Sequence, residues 1–350
     1  MKKIKIGNKL VGEGEPCFVI AEAGSNHNRD FNQALKLIDV AVEAGADAVK
    51  FQTYSAQYLY SKKTPKMNYL KKDGLTREEE SVWDLIKRIE MPRKWHKDLA
   101  DYCAKKRIVF LSTPFDLKAV DELEEVGMLA YKIASFEITH LPLLEYAAKT
   151  GKPIILSTGM ADLADIETAL EVIHRQGNEE VVLLHCAINY PPQYADLNLR
   201  VMETMRQAFQ LSVGFSDHTL GIISAIAATA LGACVIEKHF TLDRKLPGPD
   251  HPFALEPNEI KAMVQAIRDT EKSLGSPIKK LTRAEEEMHR LARRSLVATC
   301  NITKGTIITK EMLEVKRPGG GIHAKFMDIV IGREARKDIE EDDILIWEMV

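Results

Sequence analysis

Residues 18–51 read FVIAEAGSNHNRDFNQALKLIDVAVEAGADAVKF, which is an apolar run, an amphipathic stretch and a second apolar run. The first run, 18–21, passes into Glu22 and a polar segment. The stretch at 32–44 carries apolar residues at helical spacing. Runs that are apolar on both faces are typical of a parallel sheet covered by helices. The segment therefore predicts a strand, a helix and a second parallel strand.

The same unit recurs along the chain. With the runs at 18–21 and 46–51, the chain has eight apolar runs. The other six lie at residues 108–111, 130–134, 153–156, 181–184, 211–215 and 234–236. Eight such units ending near residue 274 fill close to the roughly 250 residues of a TIM (β/α)8 barrel. An open doubly wound sheet is the alternative, but the chain has neither a G-x-G-x-x-G nor a G-x-x-x-x-G-K-[ST] motif. We predict a catalytic barrel over residues 1–274.

The remainder of the chain predicts a linker at 275–289 and a small β-rich domain at 290–350. A polar insertion at about 54–90, rich in Lys and Glu, follows the second strand. It is expected at the catalytic mouth, where it is either a lid or a solvated excursion without a role.

Composition excludes several classes of protein. The chain has 350 residues and a formal net charge of −3, so no strong field would attract nucleic acid or a membrane surface. No apolar run approaches the roughly 20 residues of a spanning helix, and the N-terminus lacks a secretory signal. The five cysteines are scattered without a C-x-x-C pair, which favours buried thiols over disulfides or a zinc site. We expect a soluble, cytoplasmic protein.

All eight predicted strands end in polar or ionisable side chains, and in a barrel those ends meet at the catalytic face. Two cations and four hydroxyls are suited to a small polyanion, because lysine supplies charge and hydroxyls supply oriented donors. They are Lys50, Thr113, Lys132, Ser135, Ser157 and Ser216. For a single serine the alternative is a turn or helix cap, and for Lys132 it is a buried ion pair.

His218 and His239 close neighbouring strands seven and eight. The two-residue period of a strand places Glu237 and His239 on one face and Lys238 on the other. Two neutral imidazoles suit a divalent transition metal, which can polarise an aldehyde oxygen and acidify a water. Structural hydrogen bonding of the pair is the alternative. Glu22 and Glu237 are candidates for proton transfer or for orienting the water.

Several of these stretches resemble motifs of the sialic acid synthase family. They are residues 20–28 (IAEAGSNHN), 50–52 (KFQ), 112–115 (STPF), 132–135 (KIAS), 157–159 (STG), 214–219 (GFSDHT), 236–241 (IEKHFT) and 248–251 (GPDH). Residues 316–319 (KRPG) resemble the family's antifreeze-like (SAF) domain. The resemblance covers essentially the whole chain. It implies a metal-dependent transferase that condenses phosphoenolpyruvate with an N-acetylated hexose aldehyde, giving a nine-carbon 2-keto acid and phosphate by C–O cleavage.

The resemblance also implies roles for the matching residues. The two lysines and four hydroxyls would bind phosphoenolpyruvate, and His218 and His239 would hold Mn²⁺, or else Mg²⁺ or Co²⁺. Glu22 and Glu237 would assist the water and the proton transfers. The implied sugar contacts are Gln52, Tyr190 and Asp250, with Arg317 reaching the sugar from the partner chain of a domain-swapped homodimer.

The chain departs from the family at Ile188, where a polar residue is usual, so a contact is lost or Asn189 supplies it. N-acetylmannosamine is the expected acceptor, and a 2,4-diacetamido-6-deoxy hexose, giving legionaminic-type acids, is the alternative. A Schiff-base aldolase acting through Lys132 or Lys50 is a second candidate. A third is an ice-binding-type protein that uses the repeat of Thr303, Thr306 and Thr309, although these residues also fit ordinary strands and turns.

Overall fold

The computed structural model describes residues 2–67, 70 and 80–350. The chain divides into two compact units, Met1–Gly275 and Ser276–Val350. The strands of the first unit are β1 (Ile4–Ile6), β2 (Lys9–Val11), β3 (Phe18–Gly24), β4 (Ala48–Thr53), β5 (Val109–Pro114), β6 (Tyr131–Ile133), β7 (Ile154–Ser157), β8 (Val181–Cys186), β9 (Ser212–Asp217) and β10 (Val235–His239). Its helices are α1 (Phe31–Ala44), α2 (Ala56–Leu59), α3 (Val82–Ile89), α4 (His96–Lys106), α5 (Leu117–Glu125), α6 (Leu141–Lys149), α7 (Leu163–Arg175), α8 (Val201–Phe209), α9 (Ile223–Ala230) and α10 (Pro257–Leu274).

Strands β3 to β10 form one parallel sheet in the order β5-β4-β3-β10-β9-β8-β7-β6. The terminal strands β5 and β6 lie side by side, which closes the sheet into a barrel. Each of the eight apolar runs overlaps one of these strands. The predicted TIM barrel is therefore confirmed.

Helix α1 shows how the local sequence defines these units. The Asp30 side chain accepts hydrogen bonds from the backbone N–H groups of Asn32 and Gln33, which caps the start of the helix. Gly45, at a φ of 79°, ends it in the left-handed conformation that glycine adopts without strain. Leu37 and Ile38 are fully buried against the sheet, as the amphipathic pattern predicts.

An N-terminal hairpin, β1 and β2, was not predicted from the sequence. Its residues Ile4, Ile6 and Val11 are buried. Lys9 pairs with Asp47, directly before β4, and Ser212, at the start of β9, donates to the carbonyl of Lys2. The hairpin therefore covers the end of the barrel opposite the catalytic face.

The insertion after β4, although rich in Lys and Glu, contains a small apolar core that was not predicted from the sequence. Tyr54 and Leu70 pack with Val82, Leu85 and Ile89 of α3. The α3 residues recur at helical spacing, while the charged side chains between them face outward. The charged residues 77–79 lie outside the described part of the chain, and the lid role stays a prediction.

The second unit contains α11 (Glu286–Ala292), β11 (Ser295–Ala298), β12 (Leu313–Lys316) and α12 (Met327–Val330), with β11 and β12 antiparallel. Helix α11 begins inside the segment predicted as a linker, because Thr282 and Glu285 form a capping box ahead of it. Within residues 2–67, 70 and 80–350, no helix combines the length and apolarity needed to cross a bilayer. All five cysteines are unpaired, as expected.

Candidate active site

A cavity of about 170 Å³ lies at the carboxyl ends of the barrel strands. Thirteen of the fourteen predicted site residues line it. They are Glu22, Lys50, Gln52, Thr113, Lys132, Ser135, Ser157, Tyr190, Ser216, His218, Glu237, His239 and Asp250. The fourteenth, Arg317, is exposed in the second unit, where its guanidinium donates to the carbonyl of Ala292. Residues distant in sequence are thus brought together by the barrel topology.

Two lysines and two carboxylates alternate in the lining of the cavity. The Lys50 Nζ lies 3.1 Å from Glu22 Oε2 and 3.6 Å from Glu237 Oε2. The Lys132 Nζ lies 3.6 Å from Glu237 Oε1. All four side chains are almost completely buried. Each charge consequently depends on its neighbours for stabilisation.

The two carboxylates have different protonation behaviour. Burial raises the pKa of Glu22 to about 7, although the ammonium of Lys50 opposes the shift. Burial also acts to raise the pKa of Glu237, but Lys132 and Lys50 together outweigh it and leave that pKa below its usual value. Glu22 can therefore exchange a proton near neutral pH, whereas Glu237 stays ionised.

The hydroxyls surround these lysines. Lys50 donates to Thr113 Oγ1 at 3.0 Å, and Ser216 Oγ donates to Glu237 Oε1 at 3.1 Å. Ser135 Oγ accepts from a backbone N–H at 2.9 Å. The buried Ser157 Oγ has no hydrogen-bond partner among the described residues. An unpaired buried hydroxyl is costly, so Ser157 has a donor to offer to a bound molecule.

The rings of His218 and His239 face the same cavity, with centroids 5.4 Å apart. Burial lowers the pKa of His218 to about 4 and that of His239 well below its usual value, so both rings are neutral. His239 Nδ1 is buried without a hydrogen-bond partner in the described part of the chain. Rings that share one ion have centroids within roughly 6.5 Å, because each metal–nitrogen bond is about 2.1 Å.

These two imidazoles therefore fit a divalent ion. Among the described residues there is no cluster of three or more His, Cys, Asp or Glu side chains placed to hold a metal. The remaining ligands would have to be water or substrate, which leaves the coordination positions that a catalytic ion requires.

Two of the predicted sugar contacts, Gln52 and Asp250, lie close to Glu22. Gln52 Nε2 donates to Glu22 Oε1 at 2.6 Å, and Ser25 Oγ donates to Asp250 Oδ2 at 3.1 Å. Gly24 has a φ of 51°, and a Cβ there would lie 3.0 Å from Asp250 Oδ2. Only glycine suits this position. Ser25 belongs to the quoted motif but was not predicted as a site residue.

Sequence reasoning missed the apolar wall of the cavity. Part of the lining is formed by Leu59, Tyr60, Met67, Ile86 and Phe115, which come from the insertion and from the loop after β5. In the sequence these five positions are isolated and do not indicate a binding surface, because only the folded insertion brings them to the cavity.

Ile188 also lines the cavity and continues the apolar surface. It packs over Gly159, where an added Cβ would lie 2.5 Å from Ile188 Cγ1. Asn189 is exposed, and its Oδ1 accepts from the N–H of Tyr190. The structure therefore gives no support to Asn189 as the replacement contact.

Comparison with known proteins identifies the family. Residues 37–279 match the model of the NeuB family, and residues 293–350 match that of the SAF domain. The chain belongs to the NeuB family. The resemblance drawn from the motifs is thereby confirmed for both the barrel and the C-terminal unit.

Relatives of this NeuB-family chain align over nearly their whole length. An N,N'-diacetyllegionaminic acid synthase of Campylobacter jejuni is 46% identical over 93% of this chain and 98% of its own. One of Legionella pneumophila is 42% identical over 98% of this chain and 97% of its own. The crystal structure of an N-acetylneuraminic acid synthetase of Leptospira borgpetersenii matches with 37% identity and a TM-score of 0.71, over 82% of this chain and 94% of that one.

Proposed function

We propose that this chain condenses phosphoenolpyruvate with an N-acetylated hexose aldehyde, releasing phosphate by C–O cleavage and forming a nine-carbon 2-keto sugar acid. The observation that carries the proposal is one cavity holding two buried lysines, a serine hydroxyl without a partner and two neutral imidazoles. The names of the relatives, which are sugar acid synthases, agree with it.

Lys50 and Lys132 supply the charge that would bind the donor. Phosphoenolpyruvate is a small polyanion, and in a buried site each ammonium attracts it more strongly than in water. The Ser157 hydroxyl adds a donor that no described residue uses. Glu22 and Glu237 keep the lysines paired when the donor is absent. Binding of phosphoenolpyruvate would therefore give the two lysines the anionic groups of the donor as partners in place of the carboxylates.

His218 and His239 would hold the metal ion, with Mn²⁺ the proposed ion because imidazole suits first-row transition metals better than Mg²⁺. When bound, the ion supplies Lewis-acid polarisation of the aldehyde oxygen and lowers the pKa of a water. The chain's part is to keep both rings neutral and close together, which their burial and the 5.4 Å centroid distance provide.

The reaction forms one carbon–carbon bond, adds one water and breaks one C–O bond. C3 of the donor attacks the aldehyde carbon and the oxygen of water adds to C2, so that the water loses one proton while the aldehyde oxygen takes one up. The C2–O bond to phosphate then breaks, the C2 hydroxyl becomes the keto group, and its proton leaves with the phosphate. Ionised Glu237 stabilises positive charge at C2, while Glu22, with a pKa of about 7, accepts the proton of the water.

Within this class we propose a 2,4-diacetamido-6-deoxy hexose as acceptor, in preference to N-acetylmannosamine. Such a sugar carries two acetyl methyls and a C6 methyl, and the wall formed by Ile86, Phe115 and Ile188 is apolar. The two relatives at 46% and 42% identity bear legionaminic acid names. The sugar contact of Arg317, the homodimer and the cytoplasmic location stay predictions.

The test is phosphate release from phosphoenolpyruvate with each sugar, with and without Mn²⁺. We expect turnover with the diacetamido sugar only when the ion is present. Ser157→Ala should raise the KM for phosphoenolpyruvate about tenfold, since one hydrogen bond to a charged group is lost. Ser273→Ala, on the exposed face of α10, is the control and should match wild type. Absence of turnover with every N-acetylated hexose would refute the proposal.

A Schiff-base aldolase remains a second candidate because burial lowers the pKa of Lys132, as nucleophilic lysines require. Its ammonium donates to the carbonyl of Ile133 at 3.2 Å and lies near Glu237, and both contacts favour the charged form. Trapping of Lys132 by borohydride in the presence of substrate would support the aldolase. Loss of turnover on chelation would support the condensing enzyme.

A further inference from the structure

A buried ion pair lies behind the two histidines, on the outer face of the sheet. Lys238 and Asp217 are opposite each other in the register of β10 and β9, and Lys238 Nζ lies 2.7 Å from Asp217 Oδ2. Both side chains are about 1% exposed. Lys238 directly precedes His239, and Asp217 directly precedes His218. The pair therefore joins the two strands at the residues that carry the imidazoles.

Thr219 extends the pair to the other side of His218. The Asp217 Oδ1 accepts from the Thr219 N–H and from its hydroxyl, each at 2.8 Å. Lys238 Nζ donates to the Thr219 carbonyl at 2.5 Å. We call these three residues the Lys238 cluster. It fixes the backbone immediately before and immediately after His218.

Stability alone is a weak explanation for this cluster. Removing two charges from water costs several kcal/mol per ion, and apolar residues of similar volume often stabilise a protein as well or better. Burial lowers the pKa of Lys238, although the carboxylate of Asp217 opposes the shift. A buried ion pair that adds little net stability is most useful where it fixes one backbone and side-chain geometry among several.

We propose that Lys238, Asp217 and Thr219 are positioning residues, which hold the His218 ring at the distance from His239 that lets both bind one divalent ion. The inference rests on the proposed function, since it concerns the same ion. Partners that hydrogen-bond a metal-ligating histidine are worth about 10–100-fold in metal affinity. The Lys238 cluster holds the backbone beside His218 and does not bond its ring, so its loss should cost about tenfold, the lower end of that range. The inward-facing lysines are not part of the cluster, so the donor site should be unaffected.

The experiment measures Mn²⁺ binding to the full chain from the electron paramagnetic resonance signal of free Mn²⁺. The test variant is Asp217→Asn with Lys238→Met, which removes both charges and keeps an acceptor for the Thr219 N–H. The control is Thr229→Val, which deletes a buried threonine hydroxyl on α9 that donates to the Ala225 carbonyl of the same helix. We expect about tenfold weaker Mn²⁺ binding in the double variant and wild-type binding in the control.

Two further measurements separate positioning from general damage. Phosphoenolpyruvate binding in the presence of EDTA should be unchanged in the double variant. If that variant does not fold, Thr219→Val, which leaves the ion pair in place, should still weaken Mn²⁺ binding several-fold. Mn²⁺ binding equal to wild type in the folded variant would overturn the inference alone. Failure of the wild type to bind Mn²⁺ would overturn it together with the proposed metal dependence.

Discussion

Replacing Glu22 by glutamine should make the protein's stability less dependent on pH. Burial raises the pKa of Glu22 in the folded state to about 7, from 4.5 in the unfolded chain. Below the lower value both states are protonated and the full stability is present. As pH rises, the unfolded state ionises first, so stability is lost until pH passes the folded-state pKa.

The two pKa values set the size of the effect. Between about pH 5.5 and about pH 8.5, ionisation of Glu22 should lower the free energy of unfolding by about 2 kcal/mol. Urea denaturation at both pH values gives the free energy of unfolding of wild type and of Glu22→Gln. The difference between the two proteins should change by that amount from the lower to the higher pH. Glu145→Gln, which removes a half-exposed carboxylate on α6, is the control and should show no such change.

Glutamine also removes the carboxylate that we propose as the proton acceptor, so phosphate release should fall about 10²–10⁴-fold. The variant should thus gain stability at alkaline pH while losing activity. A wild-type-minus-variant difference that is the same at both pH values would refute the assignment of a raised pKa to Glu22.

Three other outcomes are expected. Gly159→Ala should cost about 1–3 kcal/mol of stability and raise the KM for phosphoenolpyruvate, because its Cβ would lie 2.5 Å from Ile188 Cγ1 and 2.9 Å from Ser135 Oγ. Thermal unfolding measures the cost, which should shrink when Ile188→Ala is added; an equal cost in both backgrounds contradicts the packing argument. Ile86→Ser should raise the KM for the diacetamido sugar more than for phosphoenolpyruvate, and equal increases would argue against an acceptor wall. Chelation with EDTA should abolish turnover and Mn²⁺ should restore it, whereas activity that persists would exclude a required ion.

The barrel and most of its cavity could be predicted because both follow from local patterns. Strand ends converge in a barrel whatever the details of packing, so the polar residues after each apolar run had to share one face. The alternation at 237–239 likewise placed Lys238 away from the cavity. Its partner Asp217 could not be predicted, since that pairing depends on the register between β9 and β10.

The apolar wall required information that local patterns do not carry. In α3, Val82, Leu85 and Ile89 have helical spacing, but the charged residues around them made the whole insertion read as polar. Which of its side chains turn toward the cavity depends on contacts with Tyr54 and Phe115, distant in sequence. The predicted sugar contact of Arg317 involves a partner chain, so it stays a prediction that the fold of a single chain does not test.

The hairpin that covers the end of the barrel opposite the cavity has a consequence for how the protein tolerates substitution. Ile4, Ile6 and Val11 of the hairpin are buried, and none of them lines the cavity. Polar replacements at these three residues should therefore lower the free energy of unfolding, because buried apolar surface is lost, while the cavity keeps its lining. Variants at the two ends of the barrel thus report on different properties, folding at the hairpin and ligand binding at the opposite end.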